Sequence, residues 1–248
     1  MNFRPRKTQR PEAKNLISVF FPPTFRPFKM LLADFGTSYC KLWDTTTVTP
    51  LLIPTKEIDH ELKVDLATGH NGKRHANRYV NELTALARGG SAMIDAASYT
   101  LLDCGSRDIK FIRSDQGKIK NMGWNTECGA SMGFTIELLE RYYNLDFSTM
   151  QVPDSSFSVT CGVLGMSHIF DAVVGGTSEA DAVAKFVKGI AKNAYTFAGS
   201  PETVYLSGGL CHNPLFVASL ASFSCEVVCL GRFVLLQGLK ATCDEQAG

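Results

Sequence analysis

The sequence predicts a two-lobed α/β protein whose halves are duplicates of one another. Three observations carry that expectation: a motif repeated 69 positions apart, a third strand-and-glycine element further along, and amphipathic helical stretches between them. The first copy reads Leu31-Leu32-Ala33-Asp34-Phe35-Gly36-Thr37-Ser38, with Lys41 following. The second reads Thr100-Leu101-Leu102-Asp103-Cys104-Gly105-Ser106-Arg107-Asp108, with Lys110 following. Both are an apolar run, Asp-x-Gly-Thr/Ser, and a lysine seven positions after the aspartate. Apolar flanks around a Gly-hydroxyl pair predict a β-hairpin with a tight turn.

The chain is long enough for this plan. Its 248 residues, 45% hydrophobic and 20% charged, suit one large domain or two lobes around a substantial core. A formal charge of +1 argues against a whole-surface attraction to nucleic acid or anionic membrane, so neither is expected as a partner. No apolar run reaches the ~18 residues that span a bilayer, and no signal-peptide pattern is read, so a cytoplasmic protein is expected.

The elements follow in chain order. Residues 1–30 hold seven basic residues against the single acid Glu12, together with five prolines, and are expected to form a disordered basic tail. Residues 31–99 are expected to form the first lobe, with a helix over Asn77 to Arg88. Residues 100–230 form the second, with helices over Gly133 to Tyr143 and Ala180 to Ala198. The latter opens on Ser178-Glu179-Ala180-Asp181, a cap-like hydroxyl with early acids. Val159 to Leu164 reads as a strand running into a helix around Ser167 to Val173. Thr203 to Leu206 is a short strand leading into Ser207-Gly208-Gly209. Residues 231–248, with a helix over Leu235 to Cys243, are expected to return to the first lobe.

Each hairpin tip offers backbone N–H groups and a hydroxyl, while its aspartate ends the first strand. That is suitable chemistry for phosphate oxygens and for magnesium or its water shell. Paired glycines after a strand let a flat base or a ribose approach the backbone. In series these elements predict a nucleotide cleft between the lobes.

The eight cysteines lack any Cys-x-x-Cys spacing, and in a reducing compartment most are expected to be buried apolar residues. Cys128, in Asn125-Thr126-Glu127-Cys128-Gly129-Ala130, and Cys161, in Thr160-Cys161-Gly162, differ. Both fall near predicted helix starts, where a thiolate is favoured, and both have small neighbours. A closed four-cysteine site within one chain is not indicated, but two ligands per subunit across a two-fold axis would make four.

In this order the motifs resemble the ATP-dependent activators of 2-hydroxyacyl-CoA dehydratases and benzoyl-CoA-type reductases, within the actin, heat-shock chaperone and sugar-kinase superfamily. The matching elements are Asp34-x-Gly36-Thr37 with Lys41, Leu66-Ala67-Thr68-Gly69, Asp103-x-Gly105-Ser106-x-Asp108, Gly117-x-Ile119 with Asn121, Asn125-x-x-Cys128, Cys161, and Ser207-Gly208-Gly209 with Asn213. They span about 210 of the 248 residues. The resemblance implies a ribonuclease H-like, two-lobed ATPase. It implies a homodimer holding one [4Fe-4S] cluster through Cys128 and Cys161 of each subunit. ATP hydrolysis would drive one low-potential electron from a ferredoxin- or flavodoxin-like donor to a CoA-ester dehydratase or reductase.

On this reading Asp34 and Asp103 serve Mg2+ and the attacking water. Thr37, Gly105 and Ser106 hold the phosphates of ATP or ADP and Gly208 and Gly209 the adenosine, with Gly36, Lys41, Asp108 and Asn213 also in the nucleotide site. The chain departs from the family at Gly105-Ser106-Arg107-Asp108, where Gly-Gly-Gln-Asp is common, and is short between Asp44 and Asp65. Two rivals share the hairpins: a small-molecule kinase, and a nucleotide- and cluster-binding sensor or assembly protein without turnover.

Overall fold

The computed structural model describes residues 30–125, 132–160, 162–223 and 226–247. The tail up to residue 29 lies outside the described residues, as do Cys128, Cys161 and Cys225.

In chain order the elements are β1 (Leu31–Phe35), β2 (Tyr39–Asp44), β3 (Leu51–Pro54), β4 (Val64–Gly69), the single turn α1 (Gly72–His75), β5 (Ala76–Tyr79), α2 (Glu82–Met93), β6 (Ser98–Cys104), β7 (Ile109–Asp115), β8 (Lys118–Asn125), α3 (Met132–Tyr143), α4 (Gly162–Val174), α5 (Glu179–Phe197), β9 (Thr203–Ser207), α6 (Pro214–Ala221), β10 (Glu226–Gly231) and α7 (Val234–Ala247). They form two five-stranded sheets, ordered β3-β2-β1-β4-β5 and β8-β7-β6-β9-β10. In each sheet the central strand pairs antiparallel with its hairpin partner and parallel with the later strand. The two halves thus repeat one topology, as the duplicated motif predicts.

The central strand β1 is buried along its whole length and is apolar except for Asp34, as expected for a strand covered on both faces that ends in the site. At the far edge of the second sheet, β8 is largely exposed and carries Lys118 and Lys120, charges that oppose edge-to-edge pairing. Behind that sheet α5 buries Val183, Phe186, Val187 and Ile190 against Leu102, Leu206 and Phe216. Its first turn is capped by Ser178, whose side chain accepts from the Asp181 N–H.

Between the sheets, α2 and α7 pack against each other. Their core joins Leu32, Trp43 and Leu66 of the first sheet to Tyr99, Leu101 and Ile112 of the second through Leu86, Leu236 and Leu239. Gly89 and Gly238 set the approach: a Cβ on Gly238 would collide with the Ala85 carbonyl, and one on Gly89 with the Val234 carbonyl. The two helices therefore touch backbone to backbone.

Two element boundaries differ from the sequence reading. The helix expected from Asn77 begins at Glu82, capped by Asn81, because Ala76–Tyr79 is drawn into the sheet beside β4. Val159 is not in a strand; it packs against Gly165 and Gly189, between α4 and α5, and α4 starts directly at Gly162.

Candidate functional site

The antiparallel register of each hairpin explains the seven-residue spacing. Asp34 lies opposite Lys41, and Asp103 opposite Lys110, so each lysine stands beside its aspartate at the sheet end facing the other lobe. The two pairs have diverged. Lys41 Nζ is 2.7 Å from Asp34 Oδ2, a direct ion pair. Lys110 Nζ stands 3.9 Å from Asp103 and instead bonds Asp108 Oδ1 at 2.7 Å and Glu82 Oε2, from the start of α2, at 2.8 Å. The Trp124 ring lies 5.1 Å from that ammonium, and its Nε1 donates to Asp108 Oδ2 at 2.8 Å. Ser207 Oγ donates to Asp103 Oδ1 at 2.7 Å. In the first lobe the matching position is Thr68, in register with Asp34; its buried hydroxyl has no hydrogen-bond partner among the described residues.

Burial acts on all these groups. It raises Glu82 and Asp103 above the ordinary carboxylate range, against the pull of Lys110. It pulls both lysines down, but neighbouring carboxylates outweigh it and hold Lys41 and Lys110 above the usual lysine value. Four carboxylates (Asp34, Glu82, Asp103, Asp108) surround two ammonium groups, an excess of negative charge that a divalent cation or bound protons would offset.

These groups line a cavity of about 540 Å³ between the lobes, with Thr37, Ser106, Gly209 and Arg232 on its walls. A smaller cavity of about 210 Å³ lies in the second lobe among Ile136, Phe147, Leu210 and Pro214, with Glu140 and Asn213 as polar groups. Gly105, Ser106, Glu137 and Gly209 line both, so one extended ligand can reach from one into the other.

The glycines divide in role. A Cβ on Gly36 would stand 2.7 Å from the Tyr39 carbonyl, inside its own turn, and one on Gly105 would stand 3.3 Å from the Asp108 carbonyl. Gly208 has φ +92° and presses on the Cys104 backbone, whereas Gly209 faces open space. Asn213 caps α6, its Oδ1 accepting from the Phe216 N–H at 2.9 Å, while remaining on the wall of the smaller cavity.

All the site residues expected from the sequence and described by the structure therefore converge on these two cavities. Cys128 and Cys161 lie outside the described residues. Sequence reasoning missed Glu82, Trp124 and Glu137, and it gave no role to Ser207 or to Ser38, the hydroxyl that makes the contact between the turns. The Oγ atoms of Ser38 and Ser106 are 2.8 Å apart, and Glu137 accepts from Ser38 at 3.1 Å and from Ser106 at 3.3 Å. Arg107 adds a second bridge, its guanidinium donating to His70 Nε2 at 3.0 Å.

Two duplicated sheets facing each other across such a cleft define the two-lobed, actin/sugar-kinase-like α/β fold. The comparisons with known proteins agree. A curated relative, the (R)-2-hydroxyglutaryl-CoA dehydratase activating ATPase of Acidaminococcus fermentans, is 24% identical over 165 residues, covering 62% of this chain and 63% of its own length. Among solved structures, component A of the (R)-2-hydroxyglutaryl-CoA dehydratase of the same organism matches with a TM-score of 0.72 at 19% identity, over 89% of this chain and 99% of its own. The activator of the 2-hydroxyisocaproyl-CoA dehydratase from Clostridium difficile, with bound ADPNP, matches with a TM-score of 0.70 at 19% identity, over 89% and 98%. A 2-dehydro-3-deoxygalactonokinase-like protein of Sinorhizobium meliloti shares the fold more distantly, with a TM-score of 0.52 at 15% identity, over 88% and 97%. No protein-family model matches the chain. The resemblance to the dehydratase activators read from the motifs is borne out by these likenesses.

Proposed function

We propose that this chain is an ATP-dependent reductive activator. Two copies would hold one [4Fe-4S] cluster through Cys128 and Cys161 of each, and ATP hydrolysis in the cleft would drive an electron to a 2-hydroxyacyl-CoA dehydratase or a related reductase. The observation that carries the reading is the convergence of both Asp-Lys hairpins on one interlobe cavity, in a chain whose fold follows the two dehydratase proteins along 89% of its length.

The site's chemistry fits a magnesium nucleotide. No three His, Cys, Asp or Glu side chains among the described residues form a metal site unaided. Magnesium is commonly held by one or two carboxylates together with substrate phosphates, and the excess negative charge at Asp34 and Asp103 suits that arrangement. Asp103 is the freer of the two, since Lys41 is bonded directly to Asp34. Asp103 would orient water on the magnesium, while Gly105, Ser106 and the first turn hold the phosphates. Gly209 and the smaller cavity would take the adenosine.

Cysteine thiolates are the donors that hold iron–sulfur clusters, and such a cluster supplies one-electron transfer at low potential. Support for a homodimer comes from the helices that follow the two cysteines in sequence. On α3, Phe134, Leu138 and Tyr142 are exposed at four-residue spacing, and on α4 so are Phe170 and Val174. A second copy would cover that apolar face.

Anaerobic purification with a visible spectrum and an iron count tests the reading. Brown, oxygen-labile protein with about four irons per dimer is expected. Cys128→Ser and Cys161→Ser should each bleach it, and Cys225→Ser should not. Colour surviving Cys128→Ser would sink the shared cluster, and phosphate transfer to a small hydroxyl compound would favour the kinase instead.

A further inference from the structure

Glu137 is an acid in a place built for anions. It projects from α3 into the gap between the two hairpin turns, where the Ser38 and Ser106 hydroxyls converge on its carboxylate. Two hydroxyl protons serve three contacts: Ser38 to Ser106, and each serine to Glu137. Ser38 belongs to the first lobe, Ser106 and Glu137 to the second, so the cluster ties the lobes together across the cleft. The base of α3 is fixed to the same turn. The Phe134 N–H donates to the Ser106 carbonyl at 2.9 Å, and a Cβ on Gly133 would collide with the Gly105 carbonyl. One helical turn beyond this contact, Glu137 reaches the hydroxyl of the residue on which its own helix rests.

A phosphate entering the turns must compete with this carboxylate for the same donors and must accept its negative charge nearby. We propose that Glu137 is a positioning residue that occupies the place of phosphate between the turns: it clasps them through their hydroxyls, and nucleotide displaces it. Displacement takes Glu137 off both serines and frees one of the anchors of α3, the helix that begins four residues after Cys128. This inference rests on the nucleotide reading above and deepens it, because it names the residue through which phosphate occupancy is passed to that helix.

The sign of a charge-removing substitution is the test. A residue that holds magnesium or nucleotide directly loses affinity when neutralised, whereas a stand-in for phosphate gains it. Isothermal titration of the full chain with Mg-ADP and Mg-ATP should show Glu137→Gln binding about three- to tenfold more tightly than the natural protein, the scale of one like charge removed from near a phosphate at the rim of a cleft. Glu137→Asp keeps the charge and should stay within about twofold of the natural protein, and the gain in Glu137→Gln should shrink between about 0.05 and about 0.5 M salt. Glu137→Ala has the same expected sign and is read if the glutamine variant does not fold. Weaker or unchanged binding in the neutral variants, or equal tightening in Glu137→Asp, overturns the proposal while leaving the nucleotide site in place. Absence of nucleotide binding by the natural protein overturns the nucleotide reading, and the proposal with it.

Discussion

Lys110 offers the sharpest energetic test of the site. Its side chain is 3% exposed, and its ammonium stands between Glu82 at 2.8 Å, Asp108 at 2.7 Å and Asp103 at 3.9 Å. Lys110→Met keeps much of the volume and removes the charge, leaving three largely buried carboxylates without their shared cation. Breaking one buried pair in this way costs about 3–5 kcal/mol. For a chain of this size each kcal/mol corresponds to about 2–4 °C, so the midpoint of thermal unfolding should fall by about 6–20 °C.

The deficit should depend on pH in a fixed direction. Burial raises Glu82 and Asp103, so the folded protein keeps protons on them where the unfolded chain has released its own. Their contribution to stability is therefore fully present below the ordinary carboxylate range and is lost as pH rises through the raised folded values. Without Lys110 those values climb further, so the variant should approach the natural protein as pH falls from about 8 to about 5. Glu82→Gln in the same chain should recover part of the loss, because it removes one of the stranded charges. Scanning calorimetry at the two pH values decides. A Lys110→Met midpoint within about 2 °C of the natural protein, or a deficit that grows as pH falls, would refute the account of Lys110 as the ion balancing the site.

Asp103→Asn should bind Mg-ADP within about threefold of the natural protein yet hydrolyse ATP about a hundredfold more slowly, measured by phosphate release beside isothermal titration, since its carboxylate serves water and metal more than the base. Equal losses in affinity and turnover would remove that role. The adjoining glycines should separate fold from ligand: Gly208→Ala should lower the melting midpoint because of its positive φ and its contact with Cys104, while Gly209→Ala should melt within about 2 °C of the natural protein and bind nucleotide less tightly. Gly238→Ala should cost about 3 kcal/mol or more by forcing α7 from the Ala85 carbonyl, seen as a lowered denaturant midpoint.

The duplication was legible in the sequence because each hairpin compresses its chemistry into about ten residues, and an Asp and Lys seven apart fall opposite each other in antiparallel register. The partner each lysine would choose was not legible. Lys110 turns to Glu82, a residue contributed by another element, at the start of a helix that periodicity alone placed too early. Tertiary pairing of Ala76–Tyr79 with β4 decided that boundary. Glu137 was hidden differently: an acid on an amphipathic helix has the pattern of a solvated face, and only the docking of Gly133 on Gly105 aims it at the turns. The contact that Ser38 makes with Ser106 likewise depends on the turn's backbone path, which the sequence of the turn does not encode.

Where α2 crosses α7, Gly89 and Gly238 let the two backbones touch, so the position of α2 is set against backbone atoms that have no rotamer to change. Glu82 lies seven residues from Gly89, about 10 Å along the helix. A swing of α2 through about 10° at the crossing carries Glu82 about 2 Å, enough to break its 2.8 Å bond to Lys110. The backbone-to-backbone crossing thus fixes where Glu82 stands, and with it the partner that Lys110 keeps beside the cleft.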